Sequence, residues 1–76
     1  MATDDVTLHL SRQRAIVLFE WLASSDGRLP SIVQHPSEEQ VLLGLLRQLE
    51  KALTEPFCPD YPTVLSSARS SVVKGG

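Results

Sequence analysis

The sequence has little of several features that small proteins use for stability or for binding nucleic acids. It contains one cysteine in 76 residues, Cys58, which excludes a disulfide within the chain. Seven Lys and Arg against nine Asp and Glu give a formal net charge of −2, without a basic run, which disfavours binding to phosphate backbones. The longest apolar run, residues 15–19, is far shorter than the ~20 residues needed to span a membrane.

The length restricts the architecture. A chain of 76 residues with 42% hydrophobic content fits a single domain over residues 1–76, with flexible ends expected at 1–4 and 74–76. One core of this size contributes only ~3–5 kcal/mol of stability. Because a disulfide is excluded, the sequence predicts regular helix packing or self-association. The acidic, polar N-terminus does not resemble a secretory signal, so we expect a cytoplasmic protein.

The clearest periodicities are helical. The spacing of apolar residues predicts three helices, over residues 12–24, 37–54 and 61–71. Ser11 is the expected N-cap of the first helix. The second begins after either His35 or Ser37, because Pro36 suits a first helical turn and Ser37 has the capping-box spacing with Gln40.

Two short segments have the pattern of strands. Val6, Leu8 and Leu10 alternate with polar residues, and a second apolar run with β-branched residues covers 31–34. The predicted fold is therefore mainly α (a small α+β protein), in which 6–10 and 31–34 form a two-stranded element. Such a ribbon is marginal in isolation, so it needs helices packed on one face or a second copy that extends the sheet.

The first predicted helix has more apolar surface than one core-facing stripe needs. Most of its apolar residues gather on one broad face, but Val17 and Trp21 lie beside that face. Val17, Trp21 and Leu43 are the candidate partner-binding residues. Tryptophan often anchors interfaces between proteins. Either the last helix covers them, or another chain does.

No motif with a recognisable chemistry is present. His9, His35 and Cys58 lack the spacing of metal ligands, so we expect no metal and no cofactor. Cys58 is better explained as a small buried side chain under a loop than as a nucleophile. The closing Gly-Gly suggests a comparison with ubiquitin-like modifiers, but the helical periodicities argue against that fold. The sequence predicts no catalytic residue and no enzyme.

Several short motifs resemble a group of short uncharacterised bacterial proteins. The resemblance rests on AIVLFEWL at 15–22, HPSEEQVL at 35–42, LEKAL at 49–53 and PDY at 59–61, and it covers residues 8–69. It implies a bacterial cytosolic protein with few helices. No established activity accompanies the group, so the resemblance implies no functional residue.

These observations favour a non-enzymatic protein-interaction module that self-associates as a homodimer. An antitoxin- or immunity-type inhibitor is one concrete version of it. The alternative is a small helical nucleic-acid-binding regulator that uses Arg12, Arg14, Arg47 and Lys51. An enzyme that uses Cys58 ranks third.

Overall fold

Helices form most of the structure. The structure is a computed structural model, and it describes residues 5–25 and 28–75. Within these ranges the chain forms α1 (Arg12–Ser25), α2 (Leu29–Ile32), α3 (Pro36–Ala52), a 3-10 turn (Glu55–Phe57) and α4 (Tyr61–Val73). The mainly helical composition agrees with the prediction, and α1, α3 and α4 occupy the regions of the three predicted helices.

The predicted two-stranded element is wrong. None of residues 5–25 and 28–75 forms a strand: 6–10 have no regular secondary structure, and 31–34 begin inside α2. Pro30 lies in the first turn of α2, where its fixed φ favours a helix and its missing N–H costs little. The Ser31 hydroxyl donates to the Arg28 carbonyl at 2.7 Å, and Leu29 is completely buried. Local bonding and burial thus override the β-branched pattern of this segment.

Side chains cap the beginnings of α1 and α3. The Ser11 hydroxyl accepts a hydrogen bond from the Arg14 N–H at 3.2 Å, which confirms the predicted N-cap. At α3 the N-cap is His35, not Ser37: its Nδ1 accepts from the Ser37 N–H at 3.1 Å. The Glu38 carboxylate accepts from the His35 N–H in return, at 3.3 Å. Both helices therefore begin at positions that local sequence defines.

The core lies around α1, which packs against both α3 and α4. Leu22 of α1 is completely buried, and Ser25, one turn further along, is buried as well. The buried core cluster comprises Ile16, Leu22, Leu46, Leu49, Leu53, Leu65 and Ala68. All three long helices contribute to this cluster, so none of them buries its apolar face without the others.

The C-terminal end of α4 is capped by the backbone. α4 extends to Val73, and the N–H groups of Lys74 and Gly75 donate to carbonyls of its last turn. Gly75 has φ 102°, which is a conformation that glycine adopts readily at a helix end. Of the ends expected to be flexible, residues 1–4 and 76 lie outside the described residues.

Replacement of Gly44 by alanine should stabilise the protein. Gly44 lies inside α3, where glycine costs ~0.5–1 kcal/mol relative to alanine, and an added Cβ meets nothing within 4 Å. We expect Gly44→Ala to raise the free energy of unfolding by about that amount in urea titrations followed by helical circular dichroism. Gly75→Ala is the control. It should lower the free energy of unfolding, because Gly75 has a positive φ that alanine adopts with strain. A loss of stability in Gly44→Ala contradicts the prediction.

Candidate protein-interaction surfaces

The three predicted partner-binding residues lie in different environments. Val17 and Leu43 are partly buried and pack against the core cluster. Trp21 remains 47% exposed, so α4 does not cover it. The structure therefore leaves Trp21, of these three, with the most surface for a partner.

Trp21 borders a shallow depression that we call the Trp21 groove. Its other walls are Ser25, Arg28, Ser31 and Ile32, from the end of α1 and from α2. Ile32 is 54% exposed, so an aromatic and an aliphatic side chain flank the groove beside a cation. The sequence does not predict this neighbour of Trp21, because Ile32 lies in a segment with the pattern of a strand.

A second groove runs along the N-terminal segment, and we call it the N-terminal groove. It has a volume of about 770 Å³, and its walls come from residues 6–8 and 10, from Leu18 of α1, and from one side of α3. Val6, Leu8 and Val41 on these walls are 83%, 77% and 69% exposed. The α3 residues on its wall are Gln40, Val41, Gly44, Leu45 and Gln48. The groove therefore combines a strand-like sequence with an exposed apolar side of α3.

The backbone beside this groove is unpaired within the described chain. Residues 5–10 make no hydrogen bond with any other residue of 5–25 and 28–75. All six residues are exposed.

One ion pair joins the beginning of α1 to the 3-10 turn. The Arg12 guanidinium donates to both carboxylate oxygens of Glu55, through Nε to Oε2 and through Nη2 to Oε1 at 3.0 Å. This hydrogen bonding lowers the pKa of Glu55 and raises that of Arg12. Arg12 is one of the four cations considered for nucleic-acid binding, and it is engaged in this pair.

Acid should weaken the fold through Glu55. Because its pKa is lower in the folded state, Glu55 contributes stability above its unfolded pKa of about 4.5 and loses it as the pH falls through the folded pKa. We expect the urea midpoint of the unmodified protein to fall more than that of Glu55→Gln between about pH 7 and pH 3. Glu50→Gln is the control, since Glu50 has no ion pair within the described chain. Equal slopes for all three proteins would contradict the role of Glu55.

A hydrogen bond between side chains links α4 to α1. The Tyr61 hydroxyl donates to Oε1 of Glu20 at 2.9 Å in a partly buried position. Desolvation, together with this hydrogen bond and the Glu20 charge, raises the pKa of Tyr61 to about 12. Residues 41 positions apart in sequence are thereby joined where α1 and α4 pack.

The Tyr61 titration can be measured directly, because this is the only tyrosine. We expect its phenolate absorbance to develop with a midpoint near 12 rather than near 10, and the midpoint should fall towards 10 in Glu20→Gln. The raised pKa contributes stability that is complete below about pH 10 and is lost as the pH rises towards 12. Helical circular dichroism at each pH identifies unfolding, and Glu50→Gln is the control. A midpoint near 10 in the folded, unmodified protein would overturn this assignment.

The side chains considered for chemistry are dispersed. Cys58 is exposed rather than buried under a loop, and its thiol donates weakly to the Thr54 carbonyl at 3.8 Å. The His35 ring is engaged in the cap of α3. Within residues 5–25 and 28–75, no three His, Cys, Asp or Glu lie together as metal ligands. In the same part of the chain, no helix has the length and apolarity to cross a membrane.

Comparison of the chain with protein-family models, with curated proteins and with solved structures finds no match. The two grooves and the charges around them are therefore the features that bear on function.

Proposed function

We propose that this protein is a non-enzymatic protein-interaction module that self-associates through its N-terminal groove. The observation that carries the proposal is an exposed apolar groove. Val6, Leu8, Leu10 and Val41 line the N-terminal groove and remain exposed. Apolar side chains gathered on one surface are typical of a site that contacts another protein.

Large apolar side chains lie at the surface of the described chain: Val6, Leu8, Leu10, Trp21, Ile32, Val41, Phe57 and Val73 are exposed. Four of these eight line the N-terminal groove. Burial of such side chains by another protein is favourable at about 25 cal/mol per Å² of apolar area.

The charges favour a protein partner over a nucleic acid. The N-terminal groove is lined by apolar side chains, Gly44 and three uncharged polar residues, Thr7, Gln40 and Gln48, without Lys or Arg on its walls. A nucleic-acid groove needs cations that neutralise phosphates, and the formal net charge here is −2. Arg12, one of the predicted phosphate contacts, is held by Glu55. An uncharged groove is suited to an apolar surface of another protein.

Self-association should be visible by sedimentation equilibrium. Between about 1 and 100 µM we expect a concentration-dependent mass that approaches twice 8.4 kDa. Val41→Glu should remain monomeric, because it places a charge in the groove and leaves the core of the monomer unchanged. Trp21→Ser is the matched control: it removes an exposed apolar side chain outside this groove and should leave the dimer intact.

Two results would contradict the proposal. A mass of 8.4 kDa at every concentration would show that the protein does not self-associate. Dissociation of the dimer by Trp21→Ser but not by Val41→Glu would move the interface to the Trp21 groove. Helical circular dichroism of both variants confirms that each one is folded before its mass is interpreted.

A further inference from the structure

We propose that His35 is a proton-sensitive cap of α3: its neutral imidazole holds the first turn of the helix, and protonation between about pH 7 and pH 5 releases that turn. The starting point is the hydrogen bond in which Nδ1 of His35 accepts from the Ser37 N–H at 3.1 Å. Nδ1 accepts a hydrogen bond only while it carries a lone pair, so this cap requires the tautomer with its proton on Nε2. Histidine is the side chain whose ordinary charge change falls between about pH 5 and pH 8.

A proton on Nδ1 reverses the direction of hydrogen bonding at the cap. The Ser37 N–H then faces a second donor, while the Ser37 hydroxyl, 2.9 Å from Nδ1, becomes the acceptor for the new ring N–H. The added positive charge lies at the end of α3 where free backbone N–H groups already form the positive pole of the helix dipole. The lost acceptor and the added charge therefore both disfavour the first turn of α3.

The other polar groups of this turn are already engaged. Oε1 of Glu38 accepts from the Gln34 N–H at 2.6 Å and from the His35 N–H at 3.3 Å. The Glu38 N–H donates to the His35 carbonyl at 2.9 Å, and Pro36 has no N–H. The Ser37 N–H is thus the donor of the first turn whose bond depends on the protonation state of the imidazole.

Two carboxylates of the same turn oppose the release, because a nearby negative charge favours the imidazolium. Glu38 is exposed, and Glu39 is partly buried and lines the shallow depression that also includes His35. Attraction between charges that water reaches is weak and is screened by salt. The Glu38 carboxylate is also held by two backbone N–H groups. We therefore expect the loss of the cap to exceed this attraction.

The neighbouring element α2 adds no competing titration. It packs against α3, and its residues Leu29–Ile32 include no titratable side chain. Arg28, which precedes α2, lines the Trp21 groove rather than the depression beside His35. The pH response at the beginning of α3 is therefore assigned to the imidazole.

The charged groups of α1, the other helix that packs against α3, are engaged or distant. Glu20 accepts from Tyr61, and Arg12 binds Glu55, which follows the C-terminal end of α3. Arg14 lies two residues from Arg12 and therefore at the same end of α1. Because α3 is about 25 Å long, this end is far from the cap.

Urea titrations at about pH 7 and pH 5 test the switch by comparing the unmodified protein with His35→Asn. Asparagine is a strong N-cap without a titratable group. On acidification, we expect the unfolding equilibrium constant of the unmodified protein to rise by about fivefold relative to His35→Asn, the typical effect of a lost N-cap. His9→Asn is the matched control: this exposed histidine lies outside the helices, so the variant should keep the response of the unmodified protein. One protein concentration is used throughout, so that association contributes equally.

Amide hydrogen exchange gives a second measurement that needs no substitution. In the unmodified protein, the protection of the Ser37 N–H relative to its unstructured rate at the same pH should fall several-fold from about pH 7 to pH 5. The Arg14 N–H is the internal control, because its acceptor at 3.2 Å is the Ser11 hydroxyl, which does not titrate in this range. Its protection should stay the same.

Three results would overturn the switch, and none of them depends on self-association. Equal pH responses of the unmodified protein and His35→Asn would show that the imidazole is not the titrating cap. Unchanged protection of the Ser37 N–H would show that protonation does not release the turn, and this measurement decides if His35→Asn does not fold. A nitrogen-15 spectrum with the ring proton on Nδ1 at about pH 7 would show that this atom is not the acceptor.

Discussion

The packing of α1 between α3 and α4 is the interaction on which the rest of the structure depends. Leu22 of α1 is completely buried, and Ile16, six residues earlier, is 4% exposed. The two side-chain links between distant parts of the chain also involve α1: Arg12 binds Glu55, and Glu20 accepts from Tyr61. Loss of α1 would expose the apolar faces of both other long helices, since each of them packs against it.

The small size of this core explains why apolar surface remains outside it. A short chain has a high ratio of surface to volume, so three helices bury only part of their apolar residues. Val41 on α3 and Trp21 on α1 lie on sides of their helices that face away from the shared core. These apolar residues are therefore exposed because of the three-helix packing itself. Apolar residues outside the core-facing side of a helix stay exposed unless a second layer covers them.

The three long helices could be predicted from the sequence because their signals are local. Apolar spacing, Ser11 and the Pro36 turn identify where α1 and α3 begin, since a cap depends on a few neighbouring residues. α2 was missed because its apolar and β-branched residues resemble a short strand, and a four-residue element is too short to show a period. The alternation at 6–10 was recognised, but alternation defines a face and does not identify the segment that pairs with it.

The site was harder to predict because its geometry depends on contacts between distant residues. Trp21 was selected from its position on one helix, but the neighbour that completes its groove, Ile32, comes from the missed α2. The pairs Arg12–Glu55 and Glu20–Tyr61 join residues more than 40 positions apart, so no local pattern in the sequence identifies them.

The N-terminal groove depends both on a local sequence pattern and on contacts between distant residues. Its strand-like wall is a local signal in residues 6–10, and its helical wall is a consequence of how α1 and α3 pack. The two walls together gather Val6, Leu8, Leu10 and Val41 on one surface. The apolar residues that remain outside the small core are therefore concentrated rather than scattered. Such a concentration is typical of a surface that contacts another protein.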